Sequence, residues 1–192
     1  MGNNSSGKHL RPEVMSDLTE ATRFSEQDIR QWHQTFMKDF PSGQLGIDQF
    51  KDVYVQHFPN GDATSFAEHV FRTFDKDLDH HLDFREFLTA VSITAHGDAE
   101  ERLRWAFRMY DIDESGFVKR EECEEIISAI LALRSGSVTS DPQTDAPNDL
   151  TMRLFNEYDA DADGWLSEEE LRKAIFDQPR LKQLLSFDQR RY

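Results

Sequence analysis

The chain is poor in the features that would stitch it covalently, carry it through a bilayer or hold nucleic acid. Only one of its 192 residues is a cysteine, Cys123, so no intramolecular disulfide can form and no four-cysteine zinc or iron–sulfur site is available. No apolar run approaches the ~20 residues that a membrane-spanning helix needs. Basic residues are scarce: 22 Lys and Arg stand against 37 Asp and Glu, for a formal charge of -15. A field of that sign repels nucleic-acid phosphate and attracts cations, which argues against a nucleic-acid partner. Short apolar alternations suited to strands are almost absent. What is present is apolar material, 38 % of the residues with 15 Phe among them, too much for a disordered acidic tail.

The leader Met1-Gly2-Asn3-Asn4-Ser5-Ser6 has no apolar stretch, so it does not read as a secretory signal. It fits the N-myristoylation pattern M-G-x-x-x-[ST], with Gly2 as the acceptor. Asn3 and Asn4 each begin a glycosylation sequon, but without a secretory signal they would not meet the modifying enzymes.

Three segments share one pattern: Asp75–Glu86 (DKDLDHHLDFRE), Asp111–Glu122 (DIDESGFVKREE) and Asp159–Glu170 (DADADGWLSEEE). Each has oxygen-bearing side chains at positions 1, 3 and 5, an aliphatic residue at position 8 (Leu82, Val118, Leu166) and Glu at position 12. Helical periodicity flanks every loop. Phe66, Val70, Phe71 and Phe74 form one apolar face, and Ile126, Ile127, Ile130 and Leu131 form another. Asp98 three residues before Glu101, and Ser167 three before Glu170, read as capping boxes. Residues Ser135–Asn148 hold Gly, two Pro and several Ser and Thr, and read as a linker. A shorter break falls at His96-Gly97.

The spacing is that of a calcium loop. Ca²⁺ takes about six to eight oxygens, and a twelve-residue loop supplies them from positions 1, 3 and 5, the carbonyl at 7 and a bidentate Glu at 12. Position 6 needs a left-handed backbone, which favours Gly. The ligand sets are Asp75, Asp77, Asp79, the His81 carbonyl and Glu86; Asp111, Asp113, Ser115, the Phe117 carbonyl and Glu122; and Asp159, Asp161, Asp163, the Trp165 carbonyl and Glu170. Gly116 and Gly164 satisfy position 6, whereas the first of the three loops has His80 there, at a cost of about 1 kcal/mol. Lys119, at position 9 of the Asp111 loop, cannot ligate and opposes the ion. Two to three bound ions are expected.

Such hands pair, so three imply a fourth. It lies at Lys38–Gln49, with Gly43 at position 6 and Leu45 at position 8. Lys38, Phe40 and Gln49 stand where ligands belong, and Pro41 distorts the loop, so this hand keeps the fold and does not bind. The expected fold is all-α, two EF-hand pairs with a short loop–loop β pairing in each lobe. The expected divisions are a leader with a short helix over 1–24, a first pair over 25–97 and a second pair with a C-terminal helix over 98–192.

Taken with the glycine start and the non-binding first hand reading Phe40-Pro41-Ser42-Gly43, the sequence resembles the neuronal calcium sensor family. Leu10-Arg11-Pro12-Glu13-Val14-Met15, Phe66–Asp75 (FAEHVFRTFD) and Leu103–Phe107 (LRWAF) look like its hippocalcin, neurocalcin and visinin-like branch. The chain departs from the family in having Phe40 in place of the usual first-hand cysteine, His80 in place of glycine, and a slightly longer leader. The resemblance implies a myristoyl group on Gly2, calcium-dependent association with the cytoplasmic face of membranes, and targets such as cyclases, kinases or channels. A homodimer remains open.

In sensors of this build, loop closure swings a helix and bares an apolar groove. The groove residues would be Trp32, Phe36, Phe50, Val53, Tyr54, Phe58, Phe84, Phe87 and Leu88, sheathing the acyl chain without calcium and receiving an amphipathic target helix with it. One myristoyl chain holds membrane only marginally, and Lys8, His9, Arg11 and Arg23 would add a basic contribution. Two rival readings exist. A cytosolic calcium buffer would use the same loops without opening, but needs neither the acylation motif nor the silent hand. A calcium-triggered photoprotein normally binds calcium at its first hand. No G-x-S-x-G, P-loop or H-E-x-x-H motif supports another enzyme.

Overall fold

The apolar periodicities become helices that turn their apolar faces inward. The computed structural model describes residues 10–134 and 146–177. In chain order the elements are α1 (Pro12–Ala21), α2 (Glu26–Asp39), β1 (Gln44–Gly46), α3 (Ile47–His57), α4 (Thr64–Phe74), β2 (His81–Asp83), α5 (Phe84–His96), α6 (Ala99–Tyr110), α7 (Arg120–Arg134), α8 (Pro147–Tyr158) and α9 (Glu168–Asp177). The acylation motif at Gly2, the basic residues Lys8 and His9, and the chain beyond Asp177 lie outside the described residues. None of the described helices is long and apolar enough to cross a membrane.

Side-chain caps begin several helices. Ser25 and Asp28 close a capping box on α2, Asp83 and Glu86 on α5, and Asp98 and Glu101 on α6. The linker expected to run through Asn148 ends sooner, because Pro147 opens α8. Proline suits the first helical position, where its missing N–H would have had no partner.

The loop-to-loop pairing expected in each half is present. β1 and β2 run antiparallel with Leu45 opposite Leu82. In the second half Val118 and Leu166 exchange two backbone hydrogen bonds of 2.8 and 2.9 Å. All four aliphatic side chains are buried. Position 8 of each loop therefore joins two hands through main chain on one side and core on the other.

The two halves share one core. α4 sinks Phe66, Ala67, Val70, Phe71 and Phe74 from solvent and packs against both α6 and α7. Phe74 stacks on Trp105 of α6 with ring centroids 5.9 Å apart. At Gly61 the backbone passes so close to the end of α7 that a Cβ would lie 1.9 Å from the Leu133 carbonyl oxygen. The neighbouring Asp62 N–H donates to the Ala132 carbonyl at 3.0 Å. α1 buries Met15 and Leu18, and just beyond it Arg23 pairs with both Asp98 and Glu101 at 2.9 Å.

Candidate metal centres

The three acidic loops adopt one geometry. In each, the first aspartate is the residue that ends the entering helix, with φ between -75° and -72° and ψ between 84° and 86°. Its carboxylate then accepts the N–H of position 6: His80 to Asp75 at 3.0 Å, Gly116 to Asp111 at 2.9 Å and Gly164 to Asp159 at 3.0 Å. From the far end, the glutamate reaches back. Glu86 accepts the N–H groups of Lys76 and Asp83, Glu122 those of Ile112 and Lys119, and Glu170 those of Ala160 and Ser167. Positions 1, 3 and 12 thereby converge. Asp75, Asp77 and Glu86, then Asp111, Asp113 and Glu122, then Asp159, Asp161 and Glu170 each bring carboxylate oxygens within 4.8 Å of one another.

These clusters suit a hard divalent cation, being all-oxygen donors of high negative charge. Burial sharpens the case at the Asp75 loop. Asp75 is 4 % exposed, and its Oδ1 is buried without a hydrogen-bond partner among the described residues. A buried carboxylate oxygen left in that state is costly unless a cation takes it up. Burial also pushes the Glu86 carboxyl above its ordinary pKa, against the hydrogen bonds from Lys76 and Asp83.

The doubtful position in that loop is accommodated. His80 sits at φ 62°, in the left-handed region where Gly116 and Gly164 sit at 86° and 87°. It makes the same hydrogen bond to the first aspartate as they do, so the substitution leaves strain but not a different loop. Position 4 shares the left-handed backbone: Leu78, Glu114 and Ala162 also lie at positive φ, between 56° and 60°. None is Gly or Asn, so residue type carries no signal of it.

Lys119 does more than oppose an ion. Its ammonium pairs with the Asp113 carboxylate, the position-3 donor of its own loop. That contact, with help from Ser115, holds the Asp113 pKa down to about 2. A cation entering the Asp111 loop must displace the lysine. Lys119→Ser is expected to tighten calcium binding there by about 1.5- to fivefold, the range of an exposed ion pair, with the gain shrinking as salt is raised. A calorimetric titration at two salt concentrations checks it, and an unchanged affinity would show that the pair does not compete.

The fourth hand differs at its entrance. α2 continues to Asp39, so Lys38 and Asp39, at loop positions 1 and 2, are still helical and the helix ends at Phe40. Gly43 keeps the left-handed turn, and Gln49 Oε1 still accepts the Gly46 N–H at 3.3 Å. The half of the loop that pairs with β2 survives, and helix takes over the first two positions of the half that would gather an ion.

The nine groove residues divide by burial. Phe36, Phe50, Phe84 and Leu88 are buried, Trp32, Tyr54, Phe58 and Phe87 are half-buried, and Val53 is exposed. Trp32 meets Phe87 with centroids 5.9 Å apart, and Phe87 meets Phe36 at 5.1 Å. Phe50, Tyr54 and Phe58 form a second run along α3 at 4.9 and 6.1 Å. Two aromatic ridges thus rise from core to surface in the first half.

Helix–loop–helix hands joined in pairs through their eighth residues, with three acidic clusters in those loops, define an EF-hand calcium-binding protein. The model of the EF-hand domain pair matches residues 100–176. The chain is 39 % identical to neuronal calcium sensor 1 of Lymnaea stagnalis over 177 residues, which cover 92 % of this chain and 93 % of that one. It is 33 % identical to recoverin of Homo sapiens over 192 residues, covering 98 % and 94 % respectively. Visinin of Gallus gallus is 38 % identical over 133 residues, 69 % of each chain. The chain belongs to the neuronal calcium sensor family.

Proposed function

We propose that this protein is a calcium sensor that takes up three Ca²⁺ ions and answers with a change in its first lobe and its acyl group. The donors would be Asp75, Asp77 and Glu86, gathered in one cluster, with Asp79 and the His81 carbonyl completing that loop. Asp111, Asp113, Ser115, the Phe117 carbonyl and Glu122 serve the next, and Asp159, Asp161, Asp163, the Trp165 carbonyl and Glu170 the last. Bound calcium supplies a divalent charge that the carboxylates neutralise. The chain's own part is mechanical. Glu86, Glu122 and Glu170 stand in the first turn of α5, α7 and α9, so any inward pull on their carboxylates moves those helices. α5 carries Phe84, Phe87 and Leu88, which connects the Asp75 loop directly to the aromatic ridge.

The observation that carries this reading is the three carboxylate clusters, one of them with a buried oxygen that has no hydrogen-bond partner among the described residues, and a half-covered aromatic surface in the first half. Myristoyl on Gly2 would occupy that surface without calcium, and an amphipathic helix of a target such as a cyclase, kinase or channel would occupy it with calcium. Location then follows calcium: cytoplasmic at rest, on the cytoplasmic membrane face when loaded. Three ions bring the formal charge from -15 to -9, which weakens repulsion from anionic lipid.

Calcium titration by calorimetry, run on acylated and unacylated protein with liposome sedimentation, tests the proposal. The expected result is a stoichiometry near three and calcium-dependent pelleting of the acylated form alone. A stoichiometry near two would remove the Asp75 loop. Failure of both forms to pellet would sink the switch and favour a buffer.

A further inference from the structure

Three consecutive residues at the end of α4 bind the helix that leads into a different calcium loop. Arg72 projects its guanidinium against the C-terminus of α6. Nη2 donates to the carbonyls of Met109 at 2.8 Å and Arg108 at 3.4 Å, and Nη1 to those of Ile112 at 2.5 Å and Asp111 at 3.2 Å. The last carbonyls of a helix have no partner within it, and a planar cation is well suited to collect them. Thr73 Oγ1 accepts the indole N–H of Trp105 at 2.9 Å. Phe74 stacks on the same indole. The next residue is Asp75, the first of its loop.

The contact therefore joins two candidate calcium sites in opposite halves. Asp111 and Ile112 are positions 1 and 2 of the Asp111 loop, and two of the four acceptors are their carbonyls. Arg108 provides the contrast. It stands three residues before Asp111, as Arg72 stands three before Asp75, yet it is exposed and, among the described residues, makes no such clamp on a helix end. The clamp is a property of Arg72's position, not of an arginine at that register.

We propose that Arg72 is a positioning residue for the Asp111 loop, making the calcium affinity of that loop depend on the state of the Asp75 loop. This rests on the assignment of both loops as calcium sites. When the Asp75 loop closes, the angle between α4 and α5 changes. α4 cannot rotate without carrying Arg72, and Arg72 cannot move without shifting the carbonyls that set the entrance to the Asp111 loop. Coupling of this kind is reciprocal: each site must alter the other by the same factor.

The experiment uses the full chain with the last loop silenced by Glu170→Gln, so that two sites remain. Affinity of the Asp111 site is measured with Glu86 present and with Glu86→Gln, each in the Arg72 protein, in Arg72→Gln and in Arg72→Lys. In the Arg72 protein, Glu86→Gln is expected to weaken the Asp111 site by about fivefold or more. In both Arg72 variants the effect should fall to about twofold or less, because lysine keeps the charge but not the fork. The converse pair, Glu122→Gln read at the Asp75 site, should return the same factor. A merely structural role would lower the melting temperature while leaving the ratio of affinities unchanged.

The proposal is overturned if the Asp111 site in the Arg72 protein is indifferent to Glu86→Gln, an arm that needs no change at Arg72. It is equally overturned if the dependence survives in Arg72→Gln and Arg72→Lys. Normal calcium binding without coupling would remove the clamp alone. An Asp111 loop that bound no calcium in any variant would remove the three-ion reading, and the clamp with it.

Discussion

Glu170→Gln should abolish calcium binding at the last loop over the working range and lower the measured stoichiometry by one. Glu170 is the position-12 donor, and its carboxylate already spans the loop from Ala160 to Ser167. The amide keeps the shape and one acceptor oxygen but loses the charge and the second donor. The loss is on the order of 3 kcal/mol, or about 100-fold in affinity. The fold should survive, because Gln49 already performs the capping half of the role in the fourth hand. Calorimetry reads the stoichiometry, and the exposed Trp165 in the same loop gives an emission signal. An unchanged stoichiometry would show that this loop was never a site.

Gly61→Ala is expected to cost about 3 kcal/mol of stability, the upper part of the range for overpacking a tight contact. The neighbour is backbone at the end of α7, not a side chain that can swing away. The hydrogen bond from Asp62 to Ala132 would be strained at the same time. For a chain of this size that corresponds to a fall in Tm of roughly 6–12 °C. Scanning calorimetry in calcium and in chelator checks it. A Tm within about 2 °C of the parent would mean that the two halves part there without penalty.

Much of the site was legible because calcium chemistry is written in residue type and spacing. Carboxylates at 1, 3 and 12 need no tertiary context to be recognised, and the three clusters form where that spacing placed them. The departure of the Lys38–Gln49 hand was equally readable, since Lys38, Phe40 and Gln49 replace the usual donors and its entrance is the one that differs, with α2 running on to Asp39. Position 8 foretold the pairing of Leu45 with Leu82 and of Val118 with Leu166.

Other features left no such mark. Leu78, Glu114 and Ala162 take left-handed backbone because the loop's closing hydrogen bonds demand it, against their own preference. The start of α8 lies inside a proline-bearing stretch that reads as linker, because proline breaks a helix only after the first turn. Among the groove residues, Phe36 and Val53 are alike in hydropathy pattern, yet one is 2 % exposed and the other 37 %.

The sequence by itself determined the hands: which three carry acidic clusters, which one lacks those residues, and that helices flank each loop. These are local matters, decided within twelve residues by charge, backbone freedom and periodicity. Tertiary structure decided what links them. Arg72 and Arg108 occupy equivalent places before their loops, and only the packing of α4 between α6 and α7 makes one a clamp and leaves the other in solvent. Gly61 is unremarkable in the chain and is a point of closest approach in the fold. Contacts between segments distant in sequence depend on where whole helices lie, and no local pattern of residues encodes that.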